Sequence, residues 1–441
     1  MAVTRGRPSL REVRITSGKT RVPGRTAFLR YPTTAVERLL LTITIVSLPL
    51  QDHLPTVAGF SVLYLMFVVL ACYVVCERLR ALARTWLHPV FLTAYAMLAW
   101  AVIMEFTQPN RSFSQIFSFA QMFAGAIFVA AICRDRQALR WGIYGYVIVG
   151  LWMSVLLFLT SFGALQGASA AEFDEASQLR AQAFADSPLH ANLNGMAFIA
   201  AQGTVVALTL ALFAKSLLQR NLLLGIALFC LIATFLPMSR SGVLAVGVSC
   251  AAVMVAYGFN FRAVAVAAVL GASVVLWVPE AVFSRLTFST EVREGEMESR
   301  AHVYTAAVRH LPEYVLTGVG VGNFWGPWGM HSAYAGKTYV VGAHNCFIQA
   351  TIYWGLAGLL ALIVLVCQAY RCLPKGCGQD VLALCLYGIA VSLLFLSFVM
   401  HNLNTKEFSL GLGMLVGSRL WIWPQGIVQS AEFDRGAPTR F

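Results

Sequence analysis

The chain reads as an all-α polytopic membrane protein of about twelve transmembrane helices, with one large outer loop between the ninth and the tenth. Three observations predict this. Of its 441 residues, 58% are hydrophobic and only 12% charged, where a soluble domain carries roughly 25% charge; the mean hydropathy is +0.70. The apolar residues fall in unbroken runs of about twenty, long enough to cross a bilayer as helices, and not in the alternating strands of about ten residues that build a transmembrane barrel. The cations crowd into alternate turns, as the positive-inside rule asks of a multi-pass chain. A soluble enzyme fold, a barrel and a disulfide-stapled secreted domain are excluded.

The first segment, 1–35, holds Arg5, Arg7, Arg11, Arg14, Lys19, Arg21, Arg25 and Arg30 against the single acid Glu12. It has no apolar run that would serve as a cleavable signal, so it is expected in the cytoplasm. A net charge of +12 in a soluble protein would point to nucleic acid. Here the placement of the cations outweighs their sum, and no nucleic-acid partner is expected.

Apolar windows then predict nine spans within 36–279, near 36–51, 54–76, 89–107, 113–133, 141–163, 192–214, 221–237, 241–257 and 261–279. Three more, near 345–370, 381–400 and 405–423, follow the outer segment 280–344, and 424–441 forms a tail. The turns at 77–88, 134–140, 215–220, 258–262 and 371–380 carry Arg78, Arg80, Arg84, Arg134, Arg136, Arg140, Lys215, Arg220, Arg262, Arg371 and Lys375. The short intervening turns carry only Arg111, Arg180, Arg240 and Lys406. This asymmetry puts both termini and the basic turns inside and the other loops outside.

Two outer segments, 164–190 and 280–344, are too long for turns, and loops of that length usually carry function. In the second, Ser299 is placed to cap a helix running to about Leu311, with Ala301, Tyr304, Val308 and Leu311 on one face. Gly318, Gly320 and Gly322 follow. Without a strand before them or a βαβ unit around them they are no dinucleotide fingerprint, and they read as a flexible loop beside the Phe324–Trp328 aromatics.

Of ten cysteines only Cys346 approaches the outer side, so no outer disulfide is expected. Cys367, Cys372 and Cys377 lack a nearby histidine and read as packing thiols, not a zinc site. Glu294, Glu296 and Glu298 alternate in a stretch that reads as solvated, not as a metal site. No metal or cofactor is expected.

The titratable groups gather on the outer face. His53, His190, His302, His310, His331, His344 and His401 all fall in outer loops or at outer helix ends, whereas the span interiors offer mostly amides, Gln121, Gln202 and Gln349, with Glu105 near an outer end. A lipid or polysaccharide transporter, the rival of a different class, is expected to keep ionisable groups at mid-membrane. The distribution favours chemistry at the outer surface. Arg240, in Pro237-Met238-Ser239-Arg240-Ser241-Gly242, lies in a tight outer turn where an uncompensated guanidinium is costly; it either snorkels to lipid phosphates or binds a phosphorylated substrate through bidentate contacts. Arg300 and Arg180 are further candidate phosphate clamps, or else solvated loop cations. His344 stands where the large outer loop enters a helix, and the positive end of the helix dipole disfavours imidazolium, leaving the neutral ring a general base requires.

Four motifs carry a family resemblance: Arg180 to Gly195, the Ser239-Arg240-Ser241-Gly242 turn, Ser299-Arg300 with Gly318-x-Gly320 and Phe324 beyond it, and Ala343-His344-Asn345 leading to Gly355-Leu356-Ala357-Gly358. In order, spacing and outer placement they resemble the O-antigen ligase and polymerase superfamily, over about 180–360. The twelve-span layout resembles the ligase branch. The resemblance implies a GT-C-like fold whose 280–344 loop is helical and periplasmic, in the bacterial inner membrane. It implies that polysaccharide passes from undecaprenyl pyrophosphate to a sugar hydroxyl of lipid A–core oligosaccharide, by inverting transfer without metal or nucleotide sugar. It implies that Arg240 and Arg300 bind the pyrophosphate and stabilise its leaving charge, that Arg180 assists, and that His344 takes the acceptor proton. The 180–195 block departs from the family pattern, with His190 and an extra residue or two between Pro188 and Asn192. An O-antigen polymerase is the alternative within the same chemistry; a protein O-oligosaccharyltransferase is disfavoured because such chains usually carry a further C-terminal region.

Overall fold

A computed structural model describes residues 32–47, 56–57, 60–162, 193–258, 261–280, 282–283, 304–305, 307–321, 331–334, 337–340, 345–399 and 405–424. Every one of the twelve apolar windows falls on a helix. These are α1 (Ala35–Ser47), α2 (Val62–Glu77), α4 (Pro89–Thr107), α5 (Ser114–Ile132), α6 (Arg136–Leu157, prolonged by a π-turn to Phe162), α7 (Leu193–Phe213), α8 (Leu217–Phe235), α9 (Arg240–Tyr257), α10 (Phe261–Trp277), α12 (Cys346–Arg371), α13 (Val381–Val399) and α14 (Lys406–Gly417, prolonged by a π-turn to Ile422). Among the described residues eight helices are long and apolar enough to cross a bilayer, and the shorter apolar stretches Leu65–Glu77 and Val264–Trp277 join them. The fold is that of an all-α polytopic membrane protein.

The differences from expectation are local. The second window opens with a hairpin of β1 (Thr56–Val57) and β2 (Phe60–Ser61) before α2 begins, and the basic turn after α2 contains a short helix, α3 (Leu79–Trp86). In the large outer segment the helical residues reach Arg309, and a separate turn, α11 (Leu311–Tyr314), follows. Pro312, lacking an N–H, is tolerated in the first turn of a helix and not in its interior; the helix therefore ends near the expected Leu311, and α11 starts anew after His310. The packed face differs from the expected one: Ala307 and Tyr314 are buried while Val308 and Leu311 are exposed. Burial pushes the Tyr314 phenol above its ordinary pKa, and its hydroxyl donates to the Ala307 carbonyl. Further on, β3 (His331–Tyr334) pairs antiparallel with β4 (Lys337–Val340), so the segment is not helical throughout. Ser299 and Ala301 lie outside the described residues.

Side-chain caps start several helices. Asp135 caps α6, one oxygen accepting from Ala138 N at 2.8 Å, the other from the amide and hydroxyl of Thr33 at 2.6 and 2.7 Å. Burial pushes this carboxyl up, but these donors outweigh it and hold the pKa below the ordinary value. His88 caps α4, its Nδ1 accepting from Val90 N; burial, aided by nearby Arg419, lowers the imidazole to about 4, so the ring is neutral and can accept.

The basic turns gather at one end of the bundle. There the carboxylate of Glu37, with no exposed surface, takes a bidentate contact from Arg78 at 2.5 and 3.2 Å and a third from Arg134 at 2.8 Å. Arg136 pairs with Asp380, Arg84 lies over the Trp421 ring, and the Gly378 turn packs on the backbone of Ala256 and Tyr257. The starts of α7, α9 and α12 stand at the opposite end. Gly242 abuts Ala197, and Asn345 donates through Nδ2 to the Phe398 carbonyl at 3.0 Å. Because α13 carries both Phe398 and, at its other end, the turn packed on α9's C-terminus, it ties the Arg240 end of α9 to the start of α12.

Candidate active site

Arg240 is the first residue of α9. The chain leaves α8 through Leu236, Pro237 and Met238, all buried, and Met238 takes a positive φ of 52°, a conformation bulky residues adopt only where the surroundings impose it. Ser239 then caps the helix, its Oγ accepting from Gly242 N and lying 3.0 Å from Ser241 Oγ. A Cβ on Gly242 would sit 2.7 Å from the Ala197 Cβ, so the first turn of α9 presses against the start of α7, where the motif closing at Gly195 ends. Arg240, half-buried, is thereby held at a helix N-terminus, where the dipole favours an anion.

Below this turn, a partly open apolar cavity of about 320 Å³ lies between α7, α8, α9 and α10. Its lining runs from Phe235 and Phe283, near the Arg240 end, to Leu212 and Met254 near the other. Val246 and Gly247 line it from α9, roughly 9 Å along the axis from Arg240 at 1.5 Å per residue. A cation at a helix terminus above an elongated apolar cavity suits a ligand with an anionic head and a hydrocarbon chain.

The glycine motifs meet as well. Helix α12 is broken at Gly355 (φ 66°, ψ −162°), and the segment Val315–Val321 lies in the break. Val319 N donates to Ile352 O at 2.8 Å and Gly320 N to Tyr353 O at 3.0 Å, while Leu356 N donates to Val315 O at 2.5 Å. The indole of Trp100 supplies the next carbonyl, Trp354 O, at 2.8 Å. The carbonyls and the amide freed by the break are thus satisfied from the strap and from α4, as buried backbone groups must be. Gly318 and Gly320 also have positive φ, 72° and 74°; a Cβ on Gly318 would lie 2.3 Å from Tyr353 O, and one on Gly355 2.4 Å from Leu316 O. Only glycine fits these contacts. The expected flexible loop at Gly318-x-Gly320 is corrected: it is a docked strap, because the broken helix needs its donors and acceptors.

The strap ends on Glu105, buried without exposed surface near the end of α4. One carboxyl oxygen accepts from Val321 N at 3.0 Å, the other from Ser112 N. Residues 224–363 match the family model described as O-antigen ligase. The match runs from α8 into α12 and so takes in the Arg240 turn, the glycine strap, Ala343-His344-Asn345 and the break at Gly355. It supports glycosyl transfer of the O-antigen ligase or polymerase type by a multi-pass membrane protein. No curated protein matches the chain.

Of the expected site residues, Arg240 is described at the position just given. Arg180, Arg300 and His344 lie outside the described residues, as do Glu294, Glu296 and Glu298. The helix following His344 is described: Asn345 caps α12, its Oδ1 accepting from Phe347 N and Ile348 N at 2.9 and 3.1 Å. Sequence reasoning noticed Glu105 but gave it no role. Its signal was a carboxylate in an otherwise apolar run, a costly placement that calls for partners.

Proposed function

We propose that the chain is an O-antigen ligase, moving polysaccharide from undecaprenyl pyrophosphate to a sugar hydroxyl of lipid A–core oligosaccharide at the periplasmic face of the inner membrane. The observation that carries this reading is the half-buried Arg240 at the α9 N-terminus, within the stretch matched by the family model and above the apolar cavity. The cavity takes part of the polyprenyl chain. Arg240 grips the pyrophosphate through its planar pair of donors, with Arg300 and Arg180 joining it. His344, next to the Asn345 cap, accepts the proton of the attacking hydroxyl. The acceptor oxygen attacks the anomeric carbon from the face opposite the departing pyrophosphate, so configuration inverts. The guanidinium groups disperse the leaving charge that a divalent ion carries in other transferases.

In this reading the basic end of the bundle, with both termini, faces the cytoplasm, and the segment 280–344 is periplasmic. The test is transfer by purified protein in liposomes with lipid-linked donor and core acceptor. Arg240→Lys keeps the charge but not the fork and is expected to lose most activity; near-normal transfer would reduce Arg240 to a snorkelling cation. His344→Ala is expected to cost roughly 10²–10⁴-fold. In cells, it should leave core uncapped while long polymer accumulates on the carrier. Core capped with single repeats would mark a polymerase instead.

A further inference from the structure

The buried carboxyl of Glu105 has no part in the transfer chemistry proposed above, yet two pieces of the site end, the α4–α5 turn and the strap, converge on it. One oxygen accepts from Ser112 N, in the turn between α4 and α5. The other accepts from Val321 N, the last described residue of the strap, at 3.0 Å. Gly320 packs so closely that a Cβ there would lie 2.6 Å from Gln108 Cγ and 3.0 Å from Glu105 Oε2. The strap in turn caps the last turn of the first half of α12, through Ile352 O and Tyr353 O, and α4 holds Trp354 O through Trp100.

We infer that Glu105 is a positioning residue: it anchors the strap 315–321, which sets the first half of α12, Cys346–Trp354, and with it the Asn345 cap, in the orientation that transfer requires. The inference rests on the ligase reading and adds to it the element that aims this helix. The chain of contacts is short and made of directional bonds. The first half of α12 is uncoupled from its continuation by a non-helical glycine, so its orientation is set at two ends: by Asn345 on the Phe398 carbonyl and by the groups that satisfy its open end, which the strap supplies. The two carboxyl oxygens face two N–H donors, so a carboxamide is a poor substitute: turning its oxygen to one amide points its NH₂ at the other.

The experiment compares Glu105→Gln and Glu105→Asp with the unmodified protein in liposomes, reading kcat and donor KM together with backbone hydrogen exchange. For the Gln variant kcat is expected to fall about 10–100-fold, the scale of a small misplacement of a catalytic group, with donor KM changed less than about twofold. Exchange should quicken in 315–321 and 346–354 and stay unchanged in α13. The Asp variant, which keeps both acceptors, should recover part of the kcat and part of the protection. Unchanged kcat with a loosened strap would overturn the inference, as would lost kcat with a strap as protected as before, or exchange quickened throughout the bundle. If the Gln variant does not accumulate, the Asp variant carries the same comparison, with kcat and strap protection expected to drop together. Unmodified protein that transfers nothing from lipid-linked donor would defeat the ligase reading, a result distinct from active protein indifferent to Glu105.

Discussion

Replacing Gly318 by alanine tests the interlock of strap and broken helix with the smallest possible change. At φ 72° an L-residue is strained, at a cost of about 1–2 kcal/mol. The added methyl would lie 2.3 Å from Tyr353 O, 2.5 Å from its carbonyl carbon and 2.6 Å from Trp354 N. These are backbone atoms of a packed helix and cannot rotate aside, so the strap must lift. Lifting breaks the bonds Val319 N to Ile352 O, Gly320 N to Tyr353 O and Leu356 N to Val315 O, each worth about 0.5–1.5 kcal/mol net. The sum is about 3–6 kcal/mol, and at about 1.4 kcal/mol per factor of ten the strap should open roughly 10²–10⁴ times more often. Hydrogen exchange in micelles reads this directly from peptides covering 315–321 and 352–356. Gly225→Ala is the control. A Cβ there meets nothing within 4 Å, and in a helix interior the change should stabilise by about 0.5–1 kcal/mol. Equal protection of the strap in Gly318→Ala and the unmodified protein would refute the reasoning.

Glu37→Ala leaves Arg78 and Arg134 without the carboxylate that both contact and should destabilise by about 3–5 kcal/mol, read from the thermal midpoint in micelles; a loss under about 1 kcal/mol would mean that both guanidinium groups reach water or lipid phosphate instead. The pKa of Asp135 is held below its unfolded value, so its stabilising contribution is full above the unfolded carboxyl pKa and is lost as pH falls through the folded one. Asp135→Asn should therefore lower stability at neutral pH and flatten its decline in acid, and an unchanged acid limb would contradict the cap. Gly247→Leu projects a side chain into the apolar cavity, since a Cβ at Gly247 meets nothing within 4 Å. Displacing about two methylenes of a bound chain, at about 0.8 kcal/mol each, should raise donor KM by about tenfold while the fold holds; an unchanged KM would place the polyprenyl chain elsewhere.

Much of the fold was legible without coordinates because membrane spans are written in composition. A run such as Val381–Val399 has no charged residue, and a backbone buried in lipid can satisfy itself only as a helix or a closed barrel, so length and apolarity settle type and place together. Alternation of cations likewise foretold which turns share an end, since it follows from insertion and not from packing. The Arg240 turn was visible for the same reason: a guanidinium between two apolar runs stands out. What composition could not show was where an apolar run ceases to be one straight helix. Gly355 sits inside Cys346–Arg371 like any tolerated glycine, and Gly318-x-Gly320 has the composition of a loose loop; that each has a positive φ because it touches the other is a fact about residues some 35 positions apart. Glu105 is farther still from Val321, 216 positions along the chain. Its carboxyl has a role only once α4, the strap and α12 are packed together, because hydrogen-bond partners are chosen by proximity in space and leave no periodicity behind them.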